Sequence, residues 1–201
     1  DEKNLGLFNY LSIDSSMLTI FFSVVMLDLF VYWQHVFYHR ISFFWHFHKV
    51  HHIDLDLDVS SGIRFHPIEM AFSQLLKFIL IALFGMPALS IVIFEVLINS
   101  TSMFNHANIG LSKKWDRILR KFIVTPDMHR VHHSTIKEET NSNFGFNLPF
   151  WDWIFQTYKA SPRYGHEKMT LGLDQYQNED VTRLLWLLYV PFLKLLKRDN
   201  K

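Results

Sequence analysis

At 201 residues the chain can bury a core as one domain, and its 49% apolar and 16% aromatic content, with only 7 Gly and 6 Pro, excludes a disordered or linker-rich protein. With 20 basic against 19 acidic residues the formal charge is +1, which gives no electrostatic case for a nucleic-acid partner. Cysteine is absent, so disulfides, thiolate metal sites and cysteine nucleophiles are all excluded, and any metal must be held by nitrogen and oxygen.

In chain order, the first apolar run is Met17 to Trp33, with Asp28 near its end. Read as a helix it reaches about 25 Å, marginal for crossing a bilayer. A polar, histidine-rich stretch follows from Gln34 to Phe65. The longest apolar region, Ile68 to Phe104, is broken by Gly85-Met86-Pro87, which predicts two helices over 67–84 and 88–104. Its flanks are basic: Arg40, Lys49 and Arg64 before, then Lys113, Lys114, Arg117, Arg120 and Lys121 after. Basic flanks stay cytoplasmic, so this region reads as a hairpin that enters the membrane and returns, with the histidines on the cytoplasmic side. Lys77 lies nine residues before Met86 and Glu95 nine after it, so the two sit at equal depth and are placed to pair.

Thr125-Pro126-Asp127 reads as a helix start, with a hydroxyl cap, proline at the first position and an acid in the first turn. His66-Pro67-Ile68-Glu69 resembles a second start. Residues 111–121 form an amphipathic basic segment and 138–152 a polar loop. Val181 to Lys197 is apolar with a basic finish, suited to packing on the bundle or lying in the membrane interface. The chain begins at Asp1 rather than Met, which leaves open that N-terminal helices are missing. The expected fold class is all-α: a single multi-helix integral membrane domain over 1–201.

Nine of the 12 histidines fall in two short windows. Eight of these nine, all but His46, form three clusters: His35-Val-Phe-Tyr-His39, His48-Lys-Val-His51-His52 and His129-Arg-Val-His132-His133. On a helix, positions i, i+3 and i+4 share a face, so each cluster aims its imidazoles into one small volume. Neutral imidazole ligates iron, zinc, copper and nickel. Eight imidazoles exceed the needs of one tetrahedral zinc and match two adjacent metals; spacing alone leaves zinc and manganese open beside iron.

At these residues the chain resembles the fatty acid hydroxylase and sterol desaturase superfamily, most closely its bacterial sterol-desaturase-like branch. The matching text is DLFVYWQHVFYHR (28–40), FFWHFHKVHH (43–52), DVSSGIRFHPIE (58–69), FNHANIG (104–110), VTPDMHRVHHS (124–134) and ETNSNFGFNLPFWDWIFQTY (139–158). The resemblance implies a helical membrane domain with a histidine-rich dimetal site at the cytosolic face. It further implies two iron ions, dioxygen as co-substrate, and hydroxylation or desaturation of a lipid, whether sterol-like, hopanoid-like, fatty acyl or ether-linked. Electrons would come from an external donor, a cytochrome b5-like or ferredoxin-like protein, because the chain carries no cytochrome, flavin or ferredoxin motif. The implied ligands are His35, His39, His48, His51, His52, His129, His132 and His133, with His106 matching an isolated histidine between the later boxes. Some relatives carry a further histidine where Gly110 stands here, which leaves that coordination position to water or to another residue such as His66.

Asp28, His66, Glu69, Asp127 and Asn143 are candidates for orienting ligands by accepting an imidazole N–H. Asp28 lies two helical turns before His35, Asp127 is equally suited to capping, and so is His66. The aromatics Tyr32, Trp33, Phe37, Trp45, Phe104 and Phe146 are candidates for lining a lipid channel. A histidine-rich membrane metal-binding or metal-transport protein is the alternative, and it predicts ligands within the spans. A histidine pH sensor is a further one, but it needs no two copies of one ligand geometry.

Overall fold

The computed structural model describes residues 5–177 and 181–193. Within them the regular structure is helical, with an isolated antiparallel bridge between Ser134 and Leu171 and no strand. A single turn, α1 (Leu7–Tyr10), leads into α2 (Met17–Arg40) and α3 (Ser42–His52). A 3-10 turn at Val59–Ile63 precedes α4 (Pro67–Phe84) and α5 (Ala88–His106). Then come α6 (Lys113–Leu119), α7 (Pro126–His132), α8 (Lys137–Thr140), α9 (Phe150–Ile154) and α10 (Leu184–Tyr189), with 3-10 turns at Asp174–Tyr176 and Val190–Phe192.

The helix ends follow local chemistry. Ser16 Oγ accepts from Thr19 N at 3.2 Å to start α2, and Thr125 Oγ1 accepts from Met128 N at 3.4 Å to start α7, with Pro126 at its first position. His66 caps α4: its Nδ1 accepts from Ile68 N at 3.2 Å, and Pro67 follows. Gly85 ends α4 with a φ of 65°, and a Cβ there would stand 2.6 Å from Asn9 Nδ2 and 2.7 Å from Leu5 O. Only glycine meets both demands.

Helix α2 differs from expectation: it continues past Trp33 to Arg40, so the His35 and His39 box rides on the same helix as the apolar run. Gln34, His35 and Tyr38 are buried against protein, so these polar side chains need not meet lipid. At 24 residues α2 is about 36 Å long, ample rather than marginal for a span.

Three helices, α2, α4 and α5, are long and apolar enough to cross a membrane. Their outward faces carry exposed apolar side chains, among them Phe21, Phe22, Leu75, Phe78, Leu83, Val92 and Val96, a surface suited to lipid and not to water. Inward, Leu27, Val31, Met86 and Phe94 form a shared core. Lys77 Nζ donates to Glu95 Oε1 across the α4–α5 hairpin, as the equal-depth argument expects. The C-terminal end of α2, the N-terminal end of α4 and the C-terminal end of α5 meet at one end of the bundle, where α3 and α7 pack across them. Val181, Leu187 and Val190 dock on Val50 and Ile53 of the α3 region, while Leu184 and Leu185 face outward. The basic finish expected at the end of this segment, Lys194 and Lys197, lies outside the described residues.

Candidate metal centre

At that end of the bundle nine imidazoles gather in two groups. His35, His39, His48, His52 and His132 form one, His51, His106, His129 and His133 the other, and within each group one nitrogen per ring lies within 4.8 Å of all the others. The groups adjoin: the His52 and His133 rings stack with centroids 4.5 Å apart. Both triplets are divided between them. From α3, the i and i+4 rings (His48, His52) enter the five-histidine group and the i+3 ring (His51) the other. From α7 the division is reversed, with His129 and His133 in the four-histidine group and His132 in the five. Successive α-helical residues rotate by about 100°, so i and i+4 nearly align while i+3 diverges from i+4 by one such step. Two His-x-x-His-His helices facing each other can thereby each contribute to both centres.

The rings are held from behind. His35 Nδ1 meets Phe144 O at 2.8 Å, His132 Nδ1 meets Ser142 O at 2.7 Å, and His106 Nδ1 meets Ser102 O at 2.7 Å. His51 Nδ1 lies 3.2 Å from Arg64 O, and His48 Nδ1 lies 2.6 Å from Glu69 Oε1. Each acceptor takes the Nδ1 proton, which assigns the tautomer and leaves Nε2 with a lone pair. The Nε2 atoms of His35, His39, His48, His52 and His132 are buried without a hydrogen-bond partner. In the other group, His51 and His106 bring their Nε2 atoms to 3.1 Å. Both Nδ1 protons are committed to carbonyls, so this contact sets two lone pairs face to face. No hydrogen bond explains that approach; a cation between the rings does. Two nitrogens about 2.1 Å from one ion stand about 3.0–3.4 Å apart for ordinary coordination angles, and the His106–His129 and His129–His133 separations are 3.0 and 3.2 Å.

Burial, reinforced by neighbouring imidazoles, holds His51, His52, His129 and His133 well below the ordinary imidazole pKa, and burial brings His132 to about 3. The rings are therefore neutral near pH 7, the form that binds metal. Nitrogen lone pairs, no thiolate and a carboxylate only behind a ring make a donor set that fits a pair of first-row metal ions.

The other singled-out residues are distributed unevenly. Glu69 touches a ring directly, through His48. Asp28 instead accepts from Asn147 Nδ2 at 2.8 Å and Trp151 Nε1 at 2.7 Å. It thus anchors the segment whose carbonyls, at Ser142 and Phe144, hold His132 and His35. Asn143, with φ 52°, ties Met128 O and Lys159 into the same segment. Asp127 pairs with Arg130 at 2.6 Å in the first turn of α7. His66, the α4 cap, sits against Phe47 and Phe192 with its Nε2 3.3 Å from Leu188 O.

Among the aromatics, Phe146 lies 4.8 Å from the His35 ring and Trp45 4.9 Å from the His39 ring, centroid to centroid. Trp33 and Phe37 are displaced by two residues from His35, about 200° around the helix, and turn to the exposed face, Trp33 against Phe155. Tyr32 is buried and donates to or accepts from Thr157 Oγ1. Phe104 is partly buried and lines neither cavity beside the histidines.

Sequence reasoning missed Asp152. Its carboxylate accepts from Phe144 N at 2.8 Å, Gly145 N at 2.9 Å and Thr157 Oγ1 at 2.6 Å, fixing the loop behind His35, and burial raises its pKa to about 6. An acid set between two tryptophans, Trp151 and Trp153, was the available signal.

A profile of the family described as "Fatty acid hydroxylase" matches residues 20–157, which include all nine clustered histidines. The chain belongs to this family. Within the fatty acid hydroxylase family it is 30% identical to "Ornithine lipid hydroxylase OlsE" of Rhizobium tropici, over 70% of this chain and 41% of that protein. It is 28% identical to the "Alkylglycerol monooxygenase" of Homo sapiens, over 85% of this chain and 36% of that protein. A "Very-long-chain aldehyde decarbonylase GL1-7" of Oryza sativa subsp. japonica is 22% identical over 81% of this chain and 26% of its own length. The chain thus spans between about a quarter and two fifths of these relatives. No solved structure matches it.

Proposed function

We propose that this protein is a membrane-embedded oxygenase that oxidises a lipid C–H bond with dioxygen at a pair of iron ions. His35, His39, His48, His52 and His132 would hold one iron and His51, His106, His129 and His133 the other. The observation that carries the reading is the sharing of both His-x-x-His-His helices between two adjoining nitrogen groups. One metal would not require it. A transporter would distribute ligands along the spans, whereas all nine rings lie at one end of the bundle. Two of the relatives are named as a lipid hydroxylase and an alkylglycerol monooxygenase, which supports a lipid substrate.

When bound, the iron pair supplies reducible metal for dioxygen activation and hydrogen abstraction. Hydroxylation balances as R–H + O2 + 2 electrons + 2 protons giving R–OH + H2O. The electrons come from an external cytochrome b5-like or ferredoxin-like protein, and the basic flanks of the spans favour the cytoplasmic side for this end. The chain's own residues hold the rings: Glu69 keeps His48 in its Nδ1–H tautomer, and Asp28, Asn143 and Asp152 brace the loop that orients His35 and His132. Burial of the rings excludes bulk water from the reacting volume.

The test is to load the protein with iron anaerobically and reduce it. Isotopically heavy dioxygen is then added with a membrane lipid extract. A lipid gaining one heavy oxygen atom supports hydroxylation, and loss of two hydrogens supports desaturation. A fully iron-loaded, reduced protein that leaves every lipid unchanged contradicts the reading.

A further inference from the structure

Beside the five-histidine group, α2, α4 and α5 enclose a cavity of about 120 Å³, far more than the roughly 10–15 Å³ one water requires. It begins at His35 and His48 and ends at the Lys77–Glu95 pair. From Glu69 to Lys77 is eight residues of α4, about 12 Å. The walls combine apolar side chains, Val31, Phe65, Met70, Ile98 and Phe146, with a polar stripe. On α4, Glu69, Ser73 and Lys77 recur at one-turn intervals, and on α5 Glu95, Asn99 and Ser102 do the same. Most of this stripe is satisfied within the fold, Ser73 by Gln34, Lys77 by Glu95, Asn99 by Glu95 O and Ser102 by Gly62 O, so the atoms left without partners are the ones that point to a ligand.

Besides the ring nitrogens, three unpartnered side-chain atoms, on Gln34, Tyr38 and Glu69, say what kind of group. Gln34 is 6% exposed; its Oε1 accepts from Ser73 Oγ at 2.8 Å, which orients the amide and leaves Nε2 as a buried donor with no partner. Glu69 is 5% exposed; its Oε1 serves His48, and its Oε2 is a buried acceptor with no partner. Tyr38 adds a buried hydroxyl with no partner, so the cavity offers an amide donor, a hydroxyl and a carboxylate acceptor beside the metal-binding rings. Its charged side chains are two glutamates and one lysine, and the lysine is engaged by Glu95. The side chains therefore leave no free cation to pair with a phosphate or a free carboxylate. They suit a neutral group that both accepts and donates.

We propose that this cavity is a subsite for a neutral hydrogen-bonding group of the lipid, an amide or a hydroxyl, which Gln34 and Glu69 grip so that a carbon close to that group is oxidised. Resting on the oxygenase reading, the proposal makes the substrate an amphiphile oxidised near its polar connection. It argues against oxidation at the far end of a hydrocarbon chain.

The experiment measures binding without turnover, on metal-free and zinc-loaded protein in nanodiscs, so that failure of the oxygenase reading does not decide it. Hexadecane, hexadecanol, palmitamide and hexadecyl phosphate compete against a fluorescent lipid. The expected result is that palmitamide or hexadecanol binds at least about ten-fold more tightly than hexadecane and hexadecyl phosphate, and that Gln34→Met removes this preference, since a buried donor–acceptor bond and its unpaired partner are together worth about that factor. The tighter of the two names the group. Ile98→Trp, on the cavity wall, should weaken both without removing helicity, and circular dichroism checks each variant. Equal affinity for hexadecane and the polar amphiphiles overturns the proposal. So does an amide or hydroxyl preference that persists in folded Gln34→Met.

Discussion

The two histidine groups use the same ligand but differ in their surroundings. The five-histidine group is open on two sides: His35 and His48 line the cavity among the spans, and His39 lines a second one with Trp45, Thr135 and Asn141. No member of the four-histidine group lines either of these cavities. Its rings are fully buried, and those of His51 and His106 are backed by backbone carbonyls, Arg64 O and Ser102 O. The charged partner belongs to the open group, where Glu69 backs His48. Under the proposed function, the contrast would make the sealed four-histidine group an anchoring centre and the open five-histidine group the one that substrate reaches.

The largest expected effect tests ligand number. His106→Ala leaves the sealed group three rings, and its iron content should fall from two towards one per chain, with activity reduced beyond the 10–100-fold typical of losing a ligand's supporting partner. His35→Ala leaves the open group four rings. It should retain nearly two irons while losing comparable activity. Equal metal loss in both variants would erase the distinction between the groups.

Acid should act next. The buried rings of His51, His52, His129, His132 and His133 have pKa values lowered on folding, so in the unfolded chain they bind protons first as pH falls below about 6.5. Their contribution to stability is present above that value and is lost as pH falls towards the folded-state values, each ring contributing up to about 1.4 kcal/mol per pH unit. Metal-free protein should therefore show a steeply falling unfolding midpoint between about pH 6.5 and 4. A flat profile would mean that the rings are hydrated when metal-free.

Glu69→Gln should be milder and one-sided. Replacing the carboxylate behind His48 should weaken metal binding at the open group by about 10–100-fold, with the sealed group unaffected. Cobalt titration, followed by visible absorption, would resolve the two affinities. Smallest is the membrane pair: Lys77→Met and Glu95→Leu should each destabilise the protein, with the double variant milder than their sum by about 1 kcal/mol. Strict additivity would show that the pair contributes nothing.

Much of this arrangement is legible in the residues. The histidine spacing exposes the ligands, the break at Gly85 and Pro87 divides α4 from α5, and Thr125-Pro126 and His66-Pro67 mark helix starts. Equal distance from Met86 aligns Lys77 with Glu95. Other features depend on the chain's path in space. Four of the five atoms backing the rings are carbonyl oxygens, which carry no side-chain signature, and Asp28 reaches the site through the loop of Asn147 and Trp151, more than a hundred residues away. The outward turn of Trp33 and Phe37 follows from their two-residue offset from His35. Continuation of α2 through its polar end depends on burial that only the packed bundle supplies.

X-ray absorption at the iron edge of anaerobically reconstituted protein would test the pairing most directly. Two irons per chain, each with a nitrogen-dominated shell, and a metal–metal scattering path between them is the result expected when both His-x-x-His-His helices serve two adjoining sites. A single metal per chain, or two mutually invisible ones, would contradict it.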